Sequence, residues 1–198
     1  APRHMHRAGA WQDKLQSVGL PCRLRSASSG AETGGTATPQ EAGPPVYVWD
    51  TFGELSSLYA IADAVYVGGS LVPLGGQNFL EPLAQGVIPF VGPHIDNFFW
   101  IGRELFDEGL AVMLPDPAEL RAALENELRL RLEILSGHGD SRDPAGHDGQ
   151  DAAECDWRAA RESAAAGVRR RFAAWLAPRL GGGRQAAEAV VEVLAKKI

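Results

Sequence analysis

The sequence predicts an α/β fold in which helices cover both faces of a parallel sheet. Short apolar runs rich in β-branched and aromatic residues alternate with segments of helical periodicity. Elements alternating at these lengths form a parallel sheet through crossover connections. The chain has 198 residues, of which 45% are hydrophobic and 22% charged, as in globular proteins that bury a core. We therefore predict a single domain over residues 1–198.

The predicted strands are short and end at small or polar residues. The chain starts without Met, and its first residues resemble the end of a strand, so we expect a fragment that lacks an N-terminal domain. The predicted strands that follow are Cys22–Arg25, Val46–Trp49, Ala64–Val67, Ile88–Val91 and Ala111–Leu114.

Helix starts are predicted from capping residues and helix ends from glycine. Thr51 and Glu54 have the spacing of a capping box, with Leu55, Leu58, Tyr59 and Ala62 on the buried face. Pro82 fits only a first helical turn, so its helix should begin near Asn78. The predicted helices are Met5–Val18, one after Thr51, Asn78–Gln85, one from Asp96 or Asn97 to Glu108, Asp116–Leu135, Trp157–Leu176 and Gln185–Lys197.

Two low-complexity segments, Ser26–Pro45 and Ser136–Glu154, are predicted to be mobile surface loops. The second contains His138 and His147. Because a metal site holds its ligands in fixed geometry, histidines in such a segment do not by themselves indicate a metal.

Composition argues against several classes of function. The net charge of −6 disfavours nucleic-acid binding, and the one basic cluster, Arg169–Arg171, has helical spacing and is predicted to be a solvated face. Cys22 and Cys155 form no metal or redox motif, which favours a reducing compartment. The sequence has no apolar run long enough to span a bilayer, and we expect no signal peptide.

The stretch from Gly68 to Pro82 is the strongest candidate for a ligand site. It places two glycine pairs between a buried strand and a helix start, an arrangement in which backbone N–H groups converge on an anion. Asn78 and Glu81 have the spacing of an N-cap and its partner, so Glu81 either completes a capping box or binds a sugar hydroxyl. The alternative is an ordinary tight turn and helix start. The glycine spacing matches neither a dinucleotide fingerprint nor a P-loop.

Polar or small residues also follow several predicted strands. In a parallel α/β sheet, ligands bind beyond the carboxyl ends of the strands, so these segments favour a common ligand crevice. They are Arg3-His4, Asp50-Thr51, Gly68–Ser70 and Gly92–His94.

The same motifs resemble a known enzyme family. The sequence from Val46 to about Leu114 is similar to the C-terminal domain of 3-deoxy-D-manno-octulosonic acid (Kdo) transferases. The motifs that carry the resemblance are Ala1–His4, Asp50–Leu55, Tyr59–Asp63, Val67–Ser70, Gly75–Asn78, Leu80–Pro82, Gly92–His94 and Asn97-Phe98.

The resemblance implies one half of a GT-B glycosyltransferase, with a Rossmann-like domain that binds the donor CMP-Kdo. The absent N-terminal domain would bind the lipid A precursor and supply the catalytic base, so no catalytic residue is expected in this chain. The resemblance also implies that the parent protein acts at the cytoplasmic face of a Gram-negative inner membrane and that this domain is soluble in the cytoplasm. The residues implied to surround the donor are Arg3, His4, Gly53, Glu54, Gly69, Ser70, Gly75, Gly76, Gln77, Asn78 and Glu81.

The chemistry that the resemblance implies needs neither a cofactor nor a metal. Transfer leaves a nucleoside monophosphate, and helix N-termini with one Arg would stabilise its charge. Gln77 stands where the family usually has His. Two alternatives remain, namely a GT-B enzyme that uses a UDP-sugar and a nucleotide-binding module without catalysis.

Overall fold

The structure is a computed structural model that describes residues 4–28, 45–137 and 149–181. The chain divides into two compact units, Ala1–Ser57 and Leu58–Ile198. Arg3 and the predicted helix Gln185–Lys197 lie outside the described residues.

The first unit contains a two-stranded parallel sheet. Strand β1 (Cys22–Leu24) pairs with β2 (Val46–Val48), and Cys22 lies opposite Val46. A 3-10 turn, Met5–Arg7, leads into helix α1 (Ala8–Ser17), which packs against both strands. Both strands and the helix were predicted, but the first residues of the predicted helix Met5–Val18 form the 3-10 turn.

The predicted apolar face of α1 is only partly buried. Ala8 is 5% exposed and Leu15 is half-buried, whereas Trp11 is 45% and Val18 66% exposed. Helical periodicity places these residues on one side of the helix, but burial depends on what packs there.

The second unit contains a three-stranded parallel sheet in the order β3-β4-β5. Its strands are β3 (Val65–Tyr66), β4 (Pro89–Val91) and β5 (Val112–Met113). All observed pairings are parallel, which confirms the predicted fold class. The strands expected in one sheet nevertheless pair in two, because strand partners are set by long-range contacts that periodicity does not encode.

Five helices follow α1 in the described ranges. They are α2 (Leu55–Ile61), α3 (Leu80–Ala84), α4 (Glu104–Asp107), α5 (Pro117–Gly137) and α6 (Gly149–Leu176). The predicted cap of α5 is confirmed, since the N–H groups of Ala118 and Glu119 donate to Asp116 Oδ1 at 2.8 and 2.9 Å. On α2, the predicted inner face is half-buried between exposed neighbours.

One predicted helix is wrong. The segment Asp96–Glu108 consists of a 3-10 stretch, Asp96–Ile101, and the separate helix α4. Gly102 lies between them with a φ of +76°, in the left-handed region, so a continuous right-handed helix cannot pass through it.

Within the described residues, the edges of the two predicted loops have regular structure. Helix α5 extends to Gly137 and α6 begins at Gly149, so the ends of the predicted loop Ser136–Glu154 are helical. Ser26–Ser28 forms a 3-10 turn rather than the start of a mobile loop. Residues 29–44 and 138–148, with His138 and His147, lie outside the described ranges.

The main core lies in the second unit and joins its sheet to α3, α4 and α6. Phe79, Leu83 and Leu105 are 0% exposed, and Phe172 and Trp175 of α6 close the cluster. Burial of Phe79 and Leu83 anchors α3 and places the residues that precede it. No helix among the described residues is long and apolar enough to cross a membrane.

Candidate functional site

The glycine loop, Gly68–Asn78, follows β3 and leads into α3. Gly69, Gly75 and Gly76 have φ values of +74°, +80° and +72°, which L-residues with side chains rarely adopt. The Gly76 N–H donates to the Gly69 carbonyl at 2.9 Å and closes the loop. Three of the four glycines in the two pairs recognised in the sequence thus shape the turn through their backbone conformation.

Ser70 ties this loop to the end of β4. Its side chain is fully buried, and its hydroxyl donates to the Val67 carbonyl at 2.6 Å and accepts from the Gly92 N–H at 2.8 Å. The His94 N–H donates to the Ser70 carbonyl at 2.9 Å. In this structure the Ser70 side chain therefore supports the loop, and its contact with a donor stays a prediction.

Asn97 braces the other side of the glycine loop. Its backbone N–H donates to the Gly75 carbonyl at 3.1 Å, and its Nδ2 donates to the Gly76 carbonyl at 3.2 Å. A Cβ on Gly75 would lie 2.5 Å from Asn97 Nδ2. The amide side chain thus occupies space that only glycine leaves open, a role that sequence reasoning missed.

Asn78 and Glu81 meet at the start of α3, but without the geometry of the capping box that was one of two alternatives for Glu81. The helix begins at Leu80, whose N–H donates to Asn78 Oδ1 at 3.1 Å, and Asn78 Nδ2 donates to Glu81 Oε1 at 2.9 Å. Asn78 lies two residues before the first residue of the helix. Its side-chain oxygen therefore accepts from the N–H of Leu80, two positions on, instead of from the N–H of the third helical residue as in a capping box. Both side chains are exposed, and Gln77 beside them is half-buried.

The negative charge of Glu81 contributes to the pKa of Tyr59 in α2. The pKa of the half-buried Tyr59 phenol is raised by burial and, to a smaller extent, by the negative charge of Glu81. Sequence reasoning assigned Tyr59 only to the core and did not indicate this electrostatic interaction with Glu81.

In the first unit, the predicted residue Glu54 belongs to the Arg25–Glu54 cluster, which comprises Arg25, Trp49, Thr51 and Glu54. Arg25 Nε and Nη2 donate to the two carboxylate oxygens of Glu54 at 3.1 and 3.4 Å. Thr51 Oγ1 donates to Glu54 Oε2 at 3.0 Å, and the guanidinium carbon lies 5.3 Å from the Trp49 ring centre. The predicted capping box is wrong, because α2 starts at Leu55 and Thr51 contacts the Glu54 side chain instead of capping the backbone.

A second carboxylate lies beyond the same strands. Asp50 accepts from the Ser26 N–H at 2.8 Å and from the Ser26 hydroxyl at 2.5 Å. These hydrogen bonds, led by that of the hydroxyl, hold the pKa of Asp50 below its ordinary value of 3.8. Both bonds favour the ionised form.

The remaining predicted residues of the first unit are exposed. His4 precedes the first 3-10 turn and stacks on His6 with 5.6 Å between ring centres. Gly53 has a φ of +83° and open space where a Cβ would stand.

The candidate donor residues are therefore distributed over both units. Gly53 and Glu54 lie in the first, and Gly69–Glu81 lie in the second. Sequence reasoning missed Arg25 and Ser26, which pair with carboxylates 29 and 24 positions away. Both residues follow strand β1 directly. Polar residues after other strands were used to predict the ligand crevice, so this position was the signal that could have identified Arg25 and Ser26. The described residues contain no group of His, Cys, Asp and Glu suited to a metal.

Comparisons with known proteins point to one family. The chain is 40% identical over 134 residues to a 3-deoxy-D-manno-octulosonic acid transferase of Bordetella pertussis, covering 67% of this chain and 28% of that protein. It is 33% identical over 148 residues to the enzyme of that name from Haemophilus influenzae, covering 75% and 31%. The chain thus spans less than a third of the length of these relatives. No protein-family model matches it.

A solved structure supports the same relationship. The fold is similar to the C-terminal CMP-Kdo binding domain of WaaA from Acinetobacter baumannii, with a TM-score of 0.56 and 27% sequence identity. The match covers 86% of this chain and 70% of that domain.

Proposed function

Because the chain belongs to the 3-deoxy-D-manno-octulosonic acid transferase family, we propose that it binds the sugar-nucleotide donor CMP-Kdo. The observation that carries this proposal is its similarity to a CMP-Kdo binding domain over 86% of the chain. The parent protein is proposed to transfer Kdo to a lipid A precursor at the cytoplasmic face of a bacterial inner membrane.

The glycine loop is the proposed centre of the donor site. Its positive-φ glycines bring the backbone close to a ligand without intervening side chains. Next to it, Asn78 and Glu81 are exposed and joined by a hydrogen bond, which orients the Glu81 carboxylate. Carboxylate oxygens accept hydrogen bonds from hydroxyls, so we assign Glu81 to a sugar hydroxyl of the nucleotide.

The other predicted donor residues have less direct roles. Ser70 is proposed to act through the shape of the loop, because its hydroxyl is already bonded on both sides. Glu54 is proposed to present a fixed carboxylate, which Arg25 and Thr51 orient. Arg3, His4, Gly53 and Gln77 remain assigned to the donor by resemblance.

The 198-residue chain alone is proposed to bind the donor without transferring sugar. Transfer needs a general base on the acceptor hydroxyl, and neither Glu54 nor Glu81 is assigned to the acceptor. Orientation of two reactants lowers a barrier by about 7–11 kcal/mol, and this contribution requires an acceptor site as well. Sugar transfer from CMP-Kdo by the purified chain would overturn this assignment of roles.

Titration with CMP, followed by NMR of the 15N-labelled chain, tests the proposed site. We expect millimolar CMP to shift the amide signals of Gly68–Glu81, and UMP to shift them less at equal concentration. Glu81→Gln should weaken CMP binding, because the amide replaces one acceptor oxygen with a donor. Glu119→Gln is the matched control, since Glu119 is an exposed carboxylate in the first turn of α5.

The possible results distinguish the three functions that the sequence leaves open. Stronger shifts with UMP would favour a transferase that uses a UDP-sugar. No shift near the glycine loop with either nucleotide would refute the proposed site. Binding of CMP, with no transfer even after the rest of a parent enzyme is added, would favour a nucleotide-binding module.

A further inference from the structure

We propose that Arg169 of α6 is a positioning residue of the donor site, acting on it through α3. This inference rests on the proposed function, since α3 carries Glu81 at its start. Arg169 Nη1 donates to the carbonyl of Gln85, the residue that caps the other end of α3, at 3.3 Å. The guanidinium thus holds the far end of the helix whose near end presents the donor residues.

Three arginines of α6 make the same kind of contact with three different helices. Arg161 Nη2 donates to the carbonyls of Ala60 and Ala62, at the end of α2, at 3.2 and 3.0 Å. Arg171 Nη1 donates to the carbonyl of Glu108, the C-cap of α4, at 3.2 Å. Carbonyls in the last turn of a helix have no partner within it, so each guanidinium satisfies an acceptor that the helix leaves open.

This finding corrects the sequence prediction for the basic cluster. Arg169–Arg171 was predicted to be a solvated face. Arg170 and Arg171 are exposed, as that prediction requires, but Arg169 is half-buried. Residues 169 and 171 reach back to helix ends 84 and 63 positions earlier in the chain. Helical periodicity does not report such contacts.

The end of α3 fits closely against α6, so a small change there has consequences for the helix. A Cβ on Gly86 would lie 2.6 Å from the Ala165 carbonyl oxygen, which shows how near the two backbones come. Glu162 pairs with Arg169 Nη2 and orients its guanidinium toward Gln85. Since α3 comprises only five residues, Leu80–Ala84, displacement at Gln85 is transmitted to Glu81 within little more than one helical turn.

Arg171 provides an internal comparison. It makes the same type of bond, from the same helix, to the end of α4, which carries none of the proposed donor residues. If α6 merely stabilises the unit, loss of either bond should have similar consequences. If Arg169 also positions the donor site, loss of the Arg169 bond should alter the donor site, and loss of the Arg171 bond should not.

The experiment compares Arg169→Ala, Arg171→Ala and Arg170→Ala in the full 198-residue chain. We measure the melting temperature, the dissociation constant for CMP and the amide shifts of residues 78–81 without ligand. Arg169→Ala should weaken CMP binding about fivefold, the effect expected for one lost hydrogen bond. It should also shift the free amide signals of Asn78–Glu81. Arg171→Ala should lower the melting temperature similarly but leave both readouts unchanged, and Arg170→Ala should change none of the three.

Two further measurements keep the proposal falsifiable. Arg169→Lys retains a donor that reaches the Gln85 carbonyl and should restore most of the affinity. If Arg169→Ala does not fold, Arg169→Gln replaces it in the same comparison. Equal CMP affinities and equal amide shifts in the Arg169 and Arg171 variants would overturn the positioning role. Failure of the wild-type chain to bind CMP would instead refute the proposed function, while the shifts without ligand would still test the coupling of Arg169 to α3.

Discussion

The glycine loop and the Arg25–Glu54 cluster are stabilised by different kinds of interaction. In the loop, buried Ser70 and backbone groups form the hydrogen bonds, and three glycines adopt positive φ. In the cluster, the charged side chains of Arg25 and Glu54 form an ion pair, and they are 30% and 38% exposed.

The difference lies in competition with water. A buried neutral group that loses its partner stays unsatisfied, whereas an exposed charge regains water as its partner. Salt also screens an exposed pair more strongly than a buried one. We therefore expect the glycine loop to respond sharply to substitution and weakly to solution conditions, and the Arg25–Glu54 cluster to show the opposite behaviour.

The largest expected effect is that of Gly92→Ala. Its Cβ would lie 2.2 Å from the Ser70 carbonyl oxygen and 2.6 Å from the Leu71 nitrogen, so backbone must move. We expect the free energy of unfolding to fall by about 3 kcal/mol, measured by urea denaturation. Gly68→Ala is the control, because among the described residues no atom beyond its two chain neighbours lies within 4 Å of the added Cβ. Equal stability of the two variants would contradict the close approach of β4 to the loop.

Ser70→Ala should be the next most damaging change. It removes the donor to the Val67 carbonyl and leaves the buried Gly92 N–H without its acceptor. The expected loss is about 1–3 kcal/mol in the free energy of unfolding, with little dependence on salt. Ser163→Ala, on the exposed side of α6, is the matched control. A loss that disappears at high salt would show that the loop is not held in the manner described.

The Arg25–Glu54 pair should contribute less. A double-mutant cycle with Arg25→Ala and Glu54→Ala should give a coupling free energy below about 1 kcal/mol, as expected for a partly exposed pair. Raising the ionic strength should reduce this coupling further. A coupling as large as the loss in Ser70→Ala, and insensitive to salt, would remove the contrast between the two regions.

The smallest effect concerns Asp50, which follows the same strands as the cluster. Ser26→Ala removes the hydroxyl donor and should raise the pKa of Asp50 toward its ordinary value of 3.8. Because the folded-state pKa is lowered, the stabilisation is present above the unfolded value and is lost as the pH falls through the folded value. Carbon-detected NMR titration of the carboxyl group measures the shift. Ser17→Ala, which removes a hydroxyl bonded to the Lys14 carbonyl, should leave the Asp50 titration unchanged.

Local patterns predicted several features of the secondary structure whose cause is local. The cap at Asp116, the stop at Gly86 and the strand before the glycine loop all depend on neighbouring residues, and all were predicted. The helix predicted for Asp96–Glu108 failed at Gly102, whose positive φ interrupts a right-handed helix.

The candidate site was predicted in part for the same reason. Asn78 and Glu81 lie three residues apart, and their contact was visible as a spacing, although its geometry differed from a capping box. The bracing of Gly75 by Asn97 joins segments 22 positions apart and left no periodic signal.

The sequence by itself determined the alternation of strands and helices, the position of the glycine turns and the family resemblance. These follow from backbone preferences and short spacings, which are properties of neighbouring residues. Only the tertiary structure decided that the strands form two parallel sheets, that Ser70 is fully buried, and that Arg25, Arg161, Arg169 and Arg171 find their partners far away in the chain. Those outcomes depend on which groups the fold brings together and removes from water, and that is fixed only when distant segments pack.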